Sequence, residues 1–522
     1  VPESKVQPFF NILMSYLSCG MTDIHMSVQD DSLLMLDTLL ASAPSLVASS
    51  SYKILTNFLN MISSQRADSR PGRTLTVNLG IKFTTVKWRI KVLLRLRDLL
   101  SAMLEHKSQP NTGSMEKIAS CACINANKTY NWSNDKELNI PIHSQYYQQT
   151  CQLPSIFGSS IKGDSSSDDG SNLKNYVEVV MPLLIETWLE VGPDSRDSNT
   201  GHGNLLLEDA ALLLKCILKI IQLLFELLQL WHVKTEVPEV ITVYKKDFFQ
   251  HIFPGFPYSC VVDESRKVKK SKLRKGKDHM VVDKSCKEQN IAICLLFCNF
   301  YDERIEVENS IRVLQYLEKC LKQWKKQENK KDLIYILRYM LEDCSKSLKQ
   351  KGVDIGSLLD SAIVSYMITY DVFILEFLSE IALVEISSHL QRNNNLQRWL
   401  ECLPNLLCSS SVSINEVRIL RKLACQNNPF FYASLCQKLP DILNNLGSIT
   451  VTGIKDSIEG RKEIVNILYW IKDWSEDAMK TLSKHLHCEH WDKELAVEIL
   501  NILTTGDIVN GNLKEYVGPT RV

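Results

Sequence analysis

The chain lacks net charge. Its 60 lysines and arginines are matched by 60 aspartates and glutamates. The body therefore exerts no long-range pull on nucleic acid or an anionic membrane, and any such affinity has to come from a local patch. It also lacks the short patterns that catalysis needs. There is no Gly-rich phosphate loop, no G-x-S-x-G, no H-E-x-x-H and no Cys-x-x-Cys; "CAC" at 121–123 has no second pair. Strand signals are scarce and no strict repeat period is visible. An initiator Met is missing at Val1, so a leading segment is expected to be absent, and no signal peptide opens the chain.

Cysteine is not scarce, with 16 residues, but the spacing argues against a disulfide framework. Cys294 and Cys298 lie four apart in an apolar helical pattern, and Cys216, Cys320 and Cys344 sit singly in others. They read as small buried hydrophobes in a reducing compartment. Two N-x-[ST] matches, at Asn127 and Asn131, are short enough to arise by chance.

The longest apolar run, 210–231, carries Lys215, Lys219, Gln222, Glu226 and Gln229 at spacings of four, three, four and three. That is a thin polar stripe on one side of a helix. Two lysines and a glutamate are costly in lipid, so the run predicts a helix sandwiched between neighbours with one edge reaching water.

What is abundant is leucine on a helical period. "QDDSLLMLDTLLASAPSLV" at 29–47 predicts a helix with Asp30 or Asp31 at its start, ended by Pro44. "TVKWRIKVLLRLRDLLSAML" at 85–104 is the clearest helix, with Thr84 or Thr85 as its cap. Residues 70–83 read as irregular. Pro182 is expected to kink or divide the helix around it. The chain divides into helical repeats at 1–105, a linker or insert at 106–171, helical repeats at 172–260, a basic loop at 261–288, helical repeats at 289–504 and a tail at 505–522. With 45% hydrophobic residues, the expected fold is all-α: an α-solenoid of degenerate HEAT or armadillo-type repeats, each burying its apolar face on its neighbours. An irregular helical bundle is the alternative.

Several segments invite a functional reading beside a plain one. Arg266, Lys267, Lys269, Lys270, Lys272, Arg274, Lys275 and Lys277 fall within twelve residues. Their mutual repulsion predicts an extended loop, serving nuclear import, RNA contact or both, or merely solvated. Without interleaved aromatics it would not stack on bases. Lys87, Arg89 (or Lys91) and Arg95 lie at helical spacing, a basic helix edge that faces RNA, an acidic partner or solvent. The aromatics Phe248, Phe249, Phe253, Phe256 and Tyr258 form a pocket or a packed corner. In "GDSSSDDGS", Ser165 or Ser166 is a phosphate acceptor or part of a polar spacer. "HLHCEH" offers His485, His487, Cys488 and His490, but His485 and His487 point apart on a helix, and ordinary helix residues are the favoured reading. No metal or cofactor is expected.

In order along the chain, "QDDSLLMLDTLL", "VNLGIKFTTVKWRIKVLLRL", "NLKNYVEVVMPLLIETWLE", "KDFFQHIFPGFPY" and "RWLECLPNLL" resemble the testis-expressed protein 10 family, whose fungal counterpart is the Ipi-type subunit of the Rix complex. The resemblance spans nearly the whole chain and weakens after about 290. The family's N-terminal basic leader is not seen. The resemblance implies a non-enzymatic scaffold in the nucleus, nucleolar and nucleoplasmic. Its implied partners are a PELP-type helical protein and a WD-repeat protein, and the assembly docks a midasin-type AAA ATPase on pre-ribosomes. A SUMO protease, a Las-type endonuclease, chromatin regulators and weak RNA contact are further implied associations, with large-subunit assembly and processing of the internal transcribed spacer as the task. Two other classes stay open: a nuclear transport or adaptor solenoid, which predicts a ladder of Asn or Trp along one groove, and an enzyme whose site assembles from distant residues.

Overall fold

The structure, a computed structural model, describes residues 3–65, 73–75, 85–108, 165–193, 205–231, 242–261, 283–383, 393–472, 474–487 and 493–505. The fold is all-α with helical repeats, and the chain divides into two compact units, 1–292 and 293–522.

In the first unit α1 (Phe10–Met21) packs on α2 (Met26–Ser42), and α3 (Pro44–Ser49) leads to α4 (Tyr52–Ile62). The expected capping by Asp30 or Asp31 is not found. The helix begins a turn earlier, because Asp23 builds the entry: its Oδ1 accepts the His25 amide at 2.7 Å and its carbonyl accepts Gln29 Nε2 at 2.7 Å. Pro44 does break the run, and it opens α3 at a first-turn position where its missing N–H costs nothing.

The long α5 (Thr85–Ser108) is the axis of this unit, covered by α2, α3, α4 and α7 (Glu208–Trp231). Leu93, Leu96, Leu99 and Leu100 are fully buried, and Trp88 Nε1 donates to the Met61 carbonyl at 3.2 Å. Burial of each such leucine stabilises by about 2 kcal/mol. α6 (Ser165–Leu189) packs on α4 and α7. It stays one helix through Pro182 rather than dividing there. α5 reaches Ser108 and α6 starts at Ser165, so helix extends into both edges of the 106–171 segment; its centre lies outside the described residues.

The polar side of α7 has the mixed character its spacing predicts. Lys219 and Glu226 are exposed, Lys215 pairs with Glu288, and Gln222 is tucked in with its Nε2 3.4 Å from the Ala292 carbonyl. Among the described residues no helix is long and apolar enough to cross a membrane. Strands are two- or three-residue pairs: β1 (Ser63–Gln65) antiparallel to β2 (Arg73–Leu75), and β3 (Leu205–Leu206) parallel to β4 (Ser259–Cys260).

Helix α8 (Lys287–Phe300) precedes the regular part of the second unit. There α9 (Val307–Lys322), α11 (Gly356–Thr369), α13 (Asn394–Cys402), α15 (Pro429–Asn445) and α17 (Glu476–His487) form one layer. The second layer holds α10 (Lys330–Arg338), α12 (Val372–Leu383), α14 (Ile414–Cys425), α16 (Ser457–Leu468) and α18 (Lys493–Thr505). Each helix packs on the second one after it, from α9 on α11 through to α16 on α18. This is the two-layer stacking of HEAT-like repeats.

The repeat that the sequence hides is visible in the polar contacts. Lys330–Asp371, Arg338–Glu380, Ser365–Leu321, Arg421–Glu463 and Lys472–Tyr432 join residues 41, 42, 44, 42 and 40 apart. That interval fits a two-helix unit of about 40–47 residues. Parallel β5 (Ser411–Ser413) and β6 (Thr450–Thr452) tie two successive turns together, and a capping box of Ser413 with Glu416 starts α14.

Candidate interaction surfaces

The basic stripe of α5 meets acids of its own unit. Lys91 pairs with Asp30, and Arg95 Nη2 lies 2.9 Å from Asp37 Oδ2. Asp30 and Asp37, seven apart on α2, share a helical face, as do Lys91 and Arg95, four apart on α5. Arg89 is buried and pairs with Glu190. Only Lys87 of the four is exposed. The expected partner or RNA face is thus an internal seam, since burying cations beside leucines requires carboxylates within reach. Of the two acids, Asp30 is legible in the sequence only as a helix-start signal, and Asp37 carries no signal of its own. The basic run at 266–277 lies outside the described residues.

The aromatic segment is a packed corner. Phe248, Phe253, Phe256 and Tyr258 are buried, with Phe253 and Phe256 stacked at 5.3 Å and Trp188 edge-on to Tyr258 at 5.8 Å. Polar atoms of the corner are satisfied inside it. Trp188 Nε1 donates to the His251 carbonyl at 2.9 Å, and Tyr258 Oη to the Ile252 carbonyl at 2.6 Å. Asn290 reads the Tyr258 backbone on both sides, accepting its N–H at 2.8 Å and donating to its carbonyl at 2.9 Å.

Cys216, Cys294, Cys298, Cys320 and Cys344 are buried free thiols. Burial pushes Cys216 and Cys344 up to about 12 and Cys294 and Cys298 well above the usual thiol range. Those four are neutral packing groups, not nucleophiles. His485 Nε2 is 2.9 Å from Asn444 Oδ1 of α15, while Cys488 and His490 lie outside the described residues, as does the side chain of His487. No cluster of metal-ligating side chains is found among the described residues. Trp88, Trp188, Trp324 and Trp399 are each at most 3% exposed, so they pack cores and make no surface ladder of the kind a peptide-reading adaptor needs.

Residues 4–100 match the family model described as Ipi1_N, Rix1 complex component involved in 60S ribosome maturation. The chain is also 24% identical, over 562 aligned positions, to the testis-expressed protein 10 homolog of Danio rerio; the alignment covers 96% of this chain and 57% of that relative. The chain is thus similar to an Ipi-type component in its N-terminal region and, along most of its length, to a testis-expressed protein 10 homolog. It spans a little over half the length of the relative. The Ipi-type region holds α1 to α4 and most of α5, and with them both rungs of the seam, Asp30–Lys91 and Asp37–Arg95. Those charges fasten α2 to α5 within the Ipi-type region.

Proposed function

We infer that the chain is a non-catalytic scaffold subunit of a nuclear, Rix1-type complex that acts in maturation of the large ribosomal subunit. The observation that carries this reading is the match of an Ipi-type N-terminal region, described by its role in 60S maturation, on a chain otherwise built of stacked helix pairs. Such stacks present long surfaces at low cost in loops and suit a subunit that binds several neighbours at once. In this reading the chain meets a PELP-type helical protein and a WD-repeat protein, and the assembly recruits a midasin-type AAA ATPase to pre-ribosomes. A SUMO protease, a Las-type endonuclease and chromatin regulators are outer associates, and processing of the internal transcribed spacer is the step supported. The run at 266–277 serves nuclear import or a phosphate contact on RNA. No bond-breaking step is assigned to the chain itself.

The test is depletion and rescue. Loss of the protein is expected to stall large-subunit precursors that still carry spacer sequence, seen by RNA blotting, and the tagged chain is expected to sediment with those precursors. Normal spacer processing after depletion, with the tag confined to light gradient fractions, contradicts the reading.

A further inference from the structure

The turn from α9 to α10 gathers exposed lysines. Lys322, Lys325, Lys326 and Lys331 are all exposed, against Glu328 and Asp332 as the exposed acids of the same turn. The turn from α11 to α12 lies beside it, because α9 packs on α11 and α10 on α12. Two polar contacts fix the juxtaposition. Lys330 Nζ reaches Asp371 Oδ2 at 2.6 Å, and Ser365 Oγ donates to the Leu321 carbonyl at 3.0 Å. Lys330 also sits 5.7 Å from the centroid of the buried Trp324 ring, so its charge is held inside the junction.

The second turn presents rings where a solvent-facing turn is usually polar. Tyr370 is 56% exposed and Phe373 40% exposed. Both are positioned rather than loose. Tyr370 adopts a left-handed backbone at φ 50° and donates its amide to the Tyr366 carbonyl at 2.7 Å, with the two rings 5.7 Å apart. Asp371 Oδ1 accepts the Phe373 amide at 3.0 Å, so the residue that clamps Lys330 also orients the start of α12.

We propose that these two turns form a binding surface for single-stranded RNA, with Lys322, Lys325, Lys326 and Lys331 on the phosphates and Tyr370 and Phe373 as platforms for bases. Cations that track a backbone beside preset aromatic faces are the combination single strands require. The carboxylates of an acidic peptide would use the lysines but bring no aromatic face to the rings, whereas every base of a single strand does. The basic run at 266–277 has cations without aromatics, so the two segments differ in kind. Binding at this surface does not depend on the ribosome-assembly reading; that reading supplies only which RNA is met.

The test uses the full chain with the eight basic residues of 266–277 replaced by Gln, titrated with a fluorescent uridine oligomer across salt concentrations. Lys322→Gln, Lys325→Gln and Lys326→Gln together should lower the salt slope by about 2, from about 0.7 per phosphate contact on a single strand. Tyr370→Asn with Phe373→Ser should weaken binding about tenfold and leave the slope unchanged; Asn tolerates the left-handed backbone. Ultraviolet cross-linking should mark the peptide that holds Tyr370 and Phe373. Unchanged affinity in both variants, or cross-links only elsewhere, overturns the proposal. So does displacement by polyglutamate that ignores the aromatic substitutions. Partner capture by these variants reports separately on the scaffold reading.

Discussion

Arg95 is a buried cation whose partner, Asp37, keeps 30% of its side chain exposed. Asp37→Asn leaves the guanidinium facing a neutral amide among leucines. Breaking a fully buried pair costs about 3–5 kcal/mol, and partial exposure of Asp37 reduces this to about 1–3 kcal/mol. Urea unfolding should read that loss, and Asp37→Leu with Arg95→Leu should recover most of it. A double variant with the summed losses of its singles would contradict the internal-seam account. The thiols test burial directly. The pKa of Cys216 rises from 9.0 to about 12 on folding. The folded value is the higher one, so stability is complete below about 9 and falls as pH rises toward 12. Thermal melts should drop above pH 9, and less so in Cys216→Ala. Native alkylation at neutral pH should label the exposed Cys19, Cys402 and Cys425 and spare Cys216, Cys294 and Cys298. Labelling of the second group at equal rates would contradict their placement.

At the scale of elements, α16 lies so close to β6 that a Cβ on Gly460 would come within 2.6 Å of Val451 Cβ. Gly460→Ala should cost about 1–3 kcal/mol through backbone shift, read as a lower urea midpoint. A neutral result would mean that the β6–α16 contact is looser than described. Leu420 of α14 is fully buried. Leu420→Ala should cost about 2–5 kcal/mol. In a stack with nearest-neighbour coupling, hydrogen-exchange protection should fall first in α12, α14 and α16, while α10 stays near its original level. A uniform loss through the unit would contradict such coupling. The helices themselves were legible, because leucine periodicity and breaks such as Pro44 act locally. The start of α2 was misread, because its entry is built by Asp23 at longer reach than a capping aspartate. The break at Tyr370 is hidden in the sequence, because an aromatic residue in a left-handed turn leaves no Gly or Asn signal. The interval of about 40 residues was invisible for a related reason: it is carried by single polar contacts of differing residue types, not by a recurring motif. The candidate stripe on α5 was legible as charge but not as burial, which depends on acids 58 and 61 residues away.

At the scale of the molecule, two units of packed helices carry a family-matched N-terminal region and a regular C-terminal stack. The central claim is that this chain holds neighbouring proteins together by surface. The most direct measurement is capture of the tagged chain from nuclear extract, with and without RNase, followed by mass spectrometry. The account predicts recovery of a PELP-type and a WD-repeat protein with pre-ribosomal components, and retention of those two partners after RNase. Recovery of import receptors with varied cargo alone, or loss of both partners once RNA is removed, would contradict it.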